Sequence, residues 1–286
     1  MFTSPGDIAF NIGPLSIYYY GIIMGISLML GVLAANYITK KFYPELNSEM
    51  IYDIAPHIII GAIIGARLYY CLLDIRYFSS NPFEIIELWH GGLSIHGAIL
   101  GGLITGIIYA KRHKLPILKL CDIFSYGLIL GQALGRWGNF FNSEAFGRPT
   151  ESFLKLYIPI YKRPLEYMQY SYFHPTFLYE SVLDVCIFLI LFFIIRKLLA
   201  RHVIARQQVA TLQQPSTEAI PPNLDGVIFF SYLILYSIAR IIVEQVRIDS
   251  VLNLYGIPVA QIVSVLIIFI ASMGLFILIK KRNANV

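Results

Sequence analysis

The sequence predicts an all-α integral membrane protein: a bundle of about seven transmembrane helices, N-terminus outside, C-terminus cytoplasmic, with a small outer segment at headgroup level. Three observations predict it. Of 286 residues, 57% are hydrophobic and only 14% charged, whereas a soluble globular chain is about one quarter charged. The apolar residues gather into seven runs, each near the roughly 20 residues that cross a bilayer. Basic residues collect on one side of those runs, which sets orientation.

The runs are Ile17–Tyr37, Ile54–Leu73, Leu93–Ala110, Leu118–Arg136, His174–Ile195, Val227–Val246 and Ala260–Ile279. The first lacks the basic flank of a signal peptide, since no Lys or Arg precedes Lys40. Thirteen of the 22 Lys and Arg residues follow the first, third, fifth and seventh runs. That side is therefore expected to be cytoplasmic. The excess of positive charge reports topology and does not point to nucleic acid. Residues 1–286 read as one polytopic membrane domain. Within it, 137–173 is a tyrosine-rich extracytoplasmic segment suited to the headgroup interface. Residues 197–225, with their Gln and Pro, read as a flexible cytoplasmic connection. Cys71, Cys121 and Cys186 are isolated within apolar runs and read as small buried hydrophobes. They have no CxxC spacing, and no metal site is expected.

Ionisable groups are expensive in hydrocarbon and suggest a site by default. The second run carries Arg67, the third Ser94 and His96, and the fourth ends at Arg136. The fifth opens on His174 and carries Glu180, and the sixth reads "YSIARIIVEQVR". There Arg240, Glu244 and Arg247 are spaced i, i+4, i+7, so one helix face should carry all three, with Tyr236 one turn before. Glu244 can pair with either arginine. At 1.5 Å per residue Arg240 lies about 20 Å and Arg136 about 27 Å above the cytoplasmic face. Tyr20, Arg67, His96, His174 and Glu180 also fall in the outer halves of their runs. Polar groups of six runs thus share one leaflet and could line one cavity. Arginines give permanently charged, bidentate phosphate contacts. In "GRWGNFFNSEAFG", Gly135, Gly138 and Gly147 would permit a tight turn presenting main-chain N–H groups to an anion.

Several features have bland readings. Arg67 and Glu180 could each simply brace the bundle. His96 could be a packing histidine beside Gly97, and Arg240–Glu244–Arg247 a structural ion network. Pro175 suits a helix start, and the glycines of "GAIIGA" and "GAILGG" suit helix packing.

"GRWGNFFNSEAFG" resembles the signature of the prolipoprotein diacylglyceryl transferase family. "LSIHGAILGG", "HPTFLYE", "YSIARIIVEQVR" and "IGPLSIYYYG" resemble four further blocks of that family, in the same order. The resemblance spans nearly the whole chain; residues 197–225 are longer than the family pattern. It implies a bacterial multi-pass inner-membrane enzyme. Such an enzyme moves the diacylglyceryl group of phosphatidylglycerol to the lipobox cysteine thiol of a preprolipoprotein signal peptide. A thioether forms, glycerol 1-phosphate leaves, and no metal or organic cofactor is needed. Arg136 and Arg240 would hold the phosphate, and His96 would take the thiol proton. Tyr20, Gly97, Asn139, Asn142, Glu144, Gly147, Tyr236, Glu244 and Arg247 would bind substrate or order the site. Two other classes stay open from the residues. A phospholipid flippase would spread polar groups through the whole depth. An intramembrane hydrolase would need Ser94 and His96 to meet, yet residues two apart on a helix do not face each other.

Overall fold

The computed structural model describes residues 1–210, 225–248, 253–254 and 256–283. It is mostly helical. The α-helices are α1 (Tyr19–Phe42), α2 (Met50–Leu73), α3 (Ile75–Ser80), α4 (Ile95–Arg112), α5 (Ile117–Phe141), α6 (Thr176–Ala210), α7 (Val227–Glu244) and α8 (Val259–Asn283). Among the described residues six are long and apolar enough to cross a membrane: α1, α2, α5, α6 to Leu198, α7 and α8. The third expected span is present as α4. It stays outside the six because its 18 residues include Lys111 and Arg112 as well as His96. α6 runs to Ala210, so residues 197–210 of the expected flexible connection are helical; residues 211–224 of that connection lie outside the described residues.

Short strands accompany the helices: β1 (Phe2–Thr3), β2 (Ile8–Ile12), β3 (Leu15–Tyr18), β4 (Leu156–Tyr157), β5 (Tyr172–Phe173), β6 (Asn253–Leu254) and β7 (Ile257–Pro258). The first apolar run therefore begins as strand, in the β2–β3 hairpin, and turns helical only at Tyr19. β1, β4 and β5 form a three-stranded sheet in that order. Over it lies a small core of Phe146, Leu156, Ile158, Phe173 and Phe177, all buried. Residues 137–173 are thus folded, with their own apolar centre holding the chain beyond α5.

The chain falls into two compact units, residues 1–45 with 121–286, and residues 46–120. In the smaller unit α2 and α4 run antiparallel, Gly61 opposite Gly101 and Gly65 opposite Gly97. A Cβ on Gly97 would lie 2.2 Å from the Gly65 carbonyl oxygen, so the backbones meet only because both are glycine.

In the larger unit the contacts give the helix directions. Tyr20 packs on Gly138, Met24 faces Gly135, and Gly31 meets Gly127, so α1 and α5 are antiparallel. Ser181 donates to the Ala133 carbonyl and Tyr126 to that of Leu191, so α6 is antiparallel to α5. Tyr232 bonds Gln132, and the N-terminus of α7 meets Asp122, so α7 is parallel to α5. The buried Asp122 carboxylate accepts from the N–H groups of Gly226 and Phe229, both at 2.7 Å. It caps donors that the start of α7 leaves open. Along α8, Val265, Leu266, Phe269, Met273 and Phe276 are each more than half exposed. A continuous apolar surface of this kind suits hydrocarbon, not water.

Candidate active site

One end of the larger unit gathers its charges. Glu180, in the first turns of α6, is buried and lies at the centre. Its Oε2 is 2.6 Å from Arg136 Nη2 on α5. Its Oε1 is 3.0 Å from Arg240 Nη1 on α7 and 3.1 Å from Arg247 Nη1. Arg240 reaches Glu244 with its other nitrogen, at 2.7 Å, one helical turn on. Arg136 also donates to the Tyr236 hydroxyl at 3.3 Å. Three guanidinium groups thus converge on one carboxylate. All three arginines retain partial exposure, 16–20% of each side chain, while Glu180 keeps 5%. The arginines therefore face the accessible side and the carboxylate lies behind them.

Local sequence explains the placement. α5 continues as helix through "GRWGNFF" to Phe141, so Arg136 sits inside the helix, not at its end. Gly135 and Gly138 do not make the turn. They are helical and leave room for Met24 and for the Tyr20 ring. The turn comes later, where Ser143 and Ala145 take positive φ of 52° and 53°. The Glu144 N–H closes it on the Asn139 carbonyl at 2.9 Å. Asn139 and Asn142 are half-buried and Glu144 is exposed. At Gly147 a Cβ would come 2.8 Å from the Val246 carbonyl oxygen. That approach lets Gly147 bridge Arg247, antiparallel, and donate to the His174 carbonyl at 2.8 Å. It is this bridge that holds Arg247. α7 ends at Glu244, so Arg247 does not share a helical stripe with Arg240, as the spacing suggested, but arrives from the chain beyond.

His96 and Gly97 belong to the smaller unit. His96 is exposed in the first turn of α4, its ring 6.0 Å from that of Tyr69. Gly97 is buried and serves the α2–α4 contact. Arg67 is also in this unit, and here the bracing role holds. Its guanidinium donates to the carbonyls of Ile85 at 3.0 Å, Gly91 at 2.5 Å and Gly92 at 3.0 Å, and to those of Glu84 and Glu87. It ties down the 84–92 segment.

The larger unit therefore unites Arg136, Tyr236, Arg240, Glu244 and Arg247, with Tyr20 on Gly138 and Gly147 under Arg247. The residue that sequence reasoning undervalued is Glu180. Its signal was present, an acid two residues after Leu178 inside an apolar run. Its partners lie 44 to 67 residues away in the chain, so no local spacing reveals them.

Residues 7–278 match the family model described as prolipoprotein diacylglyceryl transferase. The phosphatidylglycerol–prolipoprotein diacylglyceryl transferase of Nostoc sp. (strain PCC 7120) is 40% identical over 99% of this chain and 93% of its own length. That of Synechococcus elongatus is 43% identical over 96% of this chain and 88% of its own. A third, from Synechocystis sp., is 37% identical over 96% and 89%. With the family model spanning nearly its whole length and such relatives end to end, the chain belongs to the prolipoprotein diacylglyceryl transferase family.

Proposed function

We propose that the chain transfers the diacylglyceryl group of phosphatidylglycerol to the cysteine thiol of a prolipoprotein, with the arginine cluster around Glu180 as the phosphate site. The relatives' names state that donor and that acceptor. The observation that carries the residue assignment is the convergence of Arg136, Arg240 and Arg247 on the two Glu180 oxygens. A carboxylate held by several guanidinium forks marks a place where a phosphate would also be held. An entering phosphodiester competes for the donors of Arg136 and Arg240. Glu180 stays behind as counter-ion and keeps the arginines gathered.

The thiol sulfur attacks the glycerol carbon, a carbon–sulfur bond forms, and the carbon–oxygen bond to phosphate breaks. Charge grows on the departing phosphate, where fixed guanidinium groups stabilise it most. The attacking species is thiolate, so the thiol proton must go to a base. His96 is the proposed base, an exposed imidazole in a stretch that resembles a block of the family. Tyr20, Asn139, Asn142, Glu144 and Gly147 order the loop and helix ends around the phosphate. Glu244 holds Arg240.

We further propose seven spans, α4 included, with the N-terminus outside and the C-terminus cytoplasmic in the bacterial inner membrane. The distribution of Lys and Arg supports this orientation. A cysteine at Glu151 should then react with an impermeant thiol reagent in intact cells, and one at Lys114 only after lysis. For the reaction, purified protein is incubated with phosphatidylglycerol and a lipobox peptide. The expected products are a peptide heavier by one diacylglyceryl group and an equal amount of glycerol phosphate, with none from a peptide whose cysteine is serine. Product from the serine peptide, or lipid consumed without modified peptide, would overturn the reading.

A further inference from the structure

Beneath the arginine layer lies a second polar layer, one helical turn along on each of three helices. On α5 the step from Arg136 leads back to Gln132, and on α7 the step from Tyr236 leads back to Tyr232. On α6, which runs the other way, the step from Glu180 leads forward to Asp184, which is 2% exposed. Two of its members are bonded to each other. The Tyr232 hydroxyl donates to Gln132 Oε1 at 3.0 Å. The Tyr232 ring, itself buried, lies near-parallel to that of Tyr236, at 27° with centroids 6.0 Å apart. The Tyr236 hydroxyl in turn accepts from Arg136. Polar groups on three facing helices are costly in a membrane-spanning unit unless they serve something.

We infer that Gln132 and Tyr232 are positioning residues for the transfer: they fix the Tyr236 ring, and through it the guanidinium of Arg136, without touching substrate. The inference rests on the reading of Arg136 as a phosphate ligand. The Tyr232 hydroxyl lies on the ring axis, so its bond to the Gln132 amide fixes where that end of the ring sits. The paired rings pass that position to Tyr236. A phenol free to swing would let Arg136 sample positions away from the phosphate, and misplacement costs rate more than binding.

The test is a double-mutant cycle. Tyr232→Phe keeps the ring and removes only the hydroxyl; Gln132→Leu removes the partner; Tyr236→Phe removes the bond to Arg136. Each is purified and assayed for transfer from phosphatidylglycerol to a lipobox peptide, with thermal stability in detergent measured alongside. Tyr232→Phe and Gln132→Leu should each lower kcat by about three- to tenfold, as loss of one ordinary hydrogen bond does, with little change in KM for phosphatidylglycerol. Tyr232→Phe combined with Tyr236→Phe should be no slower than Tyr236→Phe alone, because both act through one contact. Additive losses, or a loss of stability with kcat unchanged, would overturn the inference. If Tyr236→Phe itself kept full kcat, the assignment of the Arg136–Tyr236 pair to the phosphate site would fail first, and the inference with it. An impaired Tyr236→Phe beside a fully active Tyr232→Phe would sink the inference alone.

Discussion

The two units each hold arginine within helical surroundings, buried in one and half-buried in the other, and they satisfy it in opposite ways. In the smaller unit Arg67 is 5% exposed and spends its donors on five backbone carbonyls between Glu84 and Gly92. These acceptors are neutral, fixed by the chain and unable to leave. In the larger unit Arg136, Arg240 and Arg247 share the carboxylate of Glu180, and Arg240 also takes Glu244. Three positive charges meet two negative ones in those contacts. On the proposed reading that excess charge would attract an anion, and a carboxylate partner would be exchanged for a phosphate of like geometry. A charged residue in a membrane span thus reads as function or as brace according to what accepts its hydrogen bonds.

The largest expected effect falls on the brace. Arg67→Ala leaves several carbonyls of the 84–92 segment without donors, at about 1–3 kcal/mol for each that stays buried. That is a large part of the roughly 5–15 kcal/mol holding a fold together. Folded protein in the membrane should fall sharply. Lysine should not rescue it, because one compact ammonium cannot span the five acceptors. An abundant, stable but inactive Arg67→Ala protein would break the comparison and move Arg67 into the chemistry.

Arg240 should behave the other way. Arg240→Ala should reach the membrane near wild-type amounts, since Glu180 keeps Arg136 and Arg247. Transfer should drop by about 100-fold, the scale for losing one donor to a developing charge. Arg240→Lys keeps the charge but not the fork and should fall between. Near-normal transfer by a well-inserted Arg240→Ala protein would remove it from the mechanism.

Glu180→Gln sharpens the contrast further. The amide keeps the shape but not the charge that gathers the arginines. If Glu180 is an exchangeable partner, kcat should fall about tenfold while KM for phosphatidylglycerol stays level or drops, because the ground-state competitor is gone. A brace would lower the amount of protein and leave kcat per folded molecule unchanged.

Much of this was legible in the sequence because hydropathy and i, i+4 spacing are local. The six long helices, the Arg240–Glu244 pair and the glycine contact of α2 with α4 all follow from neighbours within a few residues. What failed was non-local. The Glu180 hub depends on residues from three separate segments. Arg247 left its expected stripe because α7 stops at Glu244 and the Gly147 bridge takes over. The fold of residues 137–173 was hidden because its strands, two residues each, are too short for alternation to register. The tyrosines that read as interfacial partly line that sheet. Arg67 was ambiguous for the same reason as Glu180, since an arginine in an apolar run has the same sequence signature whether it meets carbonyls or carboxylates.

The smallest effect tests whether the charged cluster needs a thiol of the protein's own. Cys121 lies on α5, fifteen residues before Arg136 and so about 22 Å along the helix. Cys186 is exposed on α6, six residues after Glu180, which turns it about 240° from the face that meets the arginines. Cys71 is buried in the smaller unit, seven per cent exposed. Neither Cys121 nor Cys186 is placed to attack a carbon held by the proposed phosphate site. Replacing all three by alanine should keep transfer within about twofold, the remaining change coming from the small cavity left at Cys71. A folded triple variant without turnover would demand a covalent intermediate on the protein. The protein would then contribute a nucleophile as well as the proposed phosphate site, and the assignment of the thiol to the substrate alone would fall.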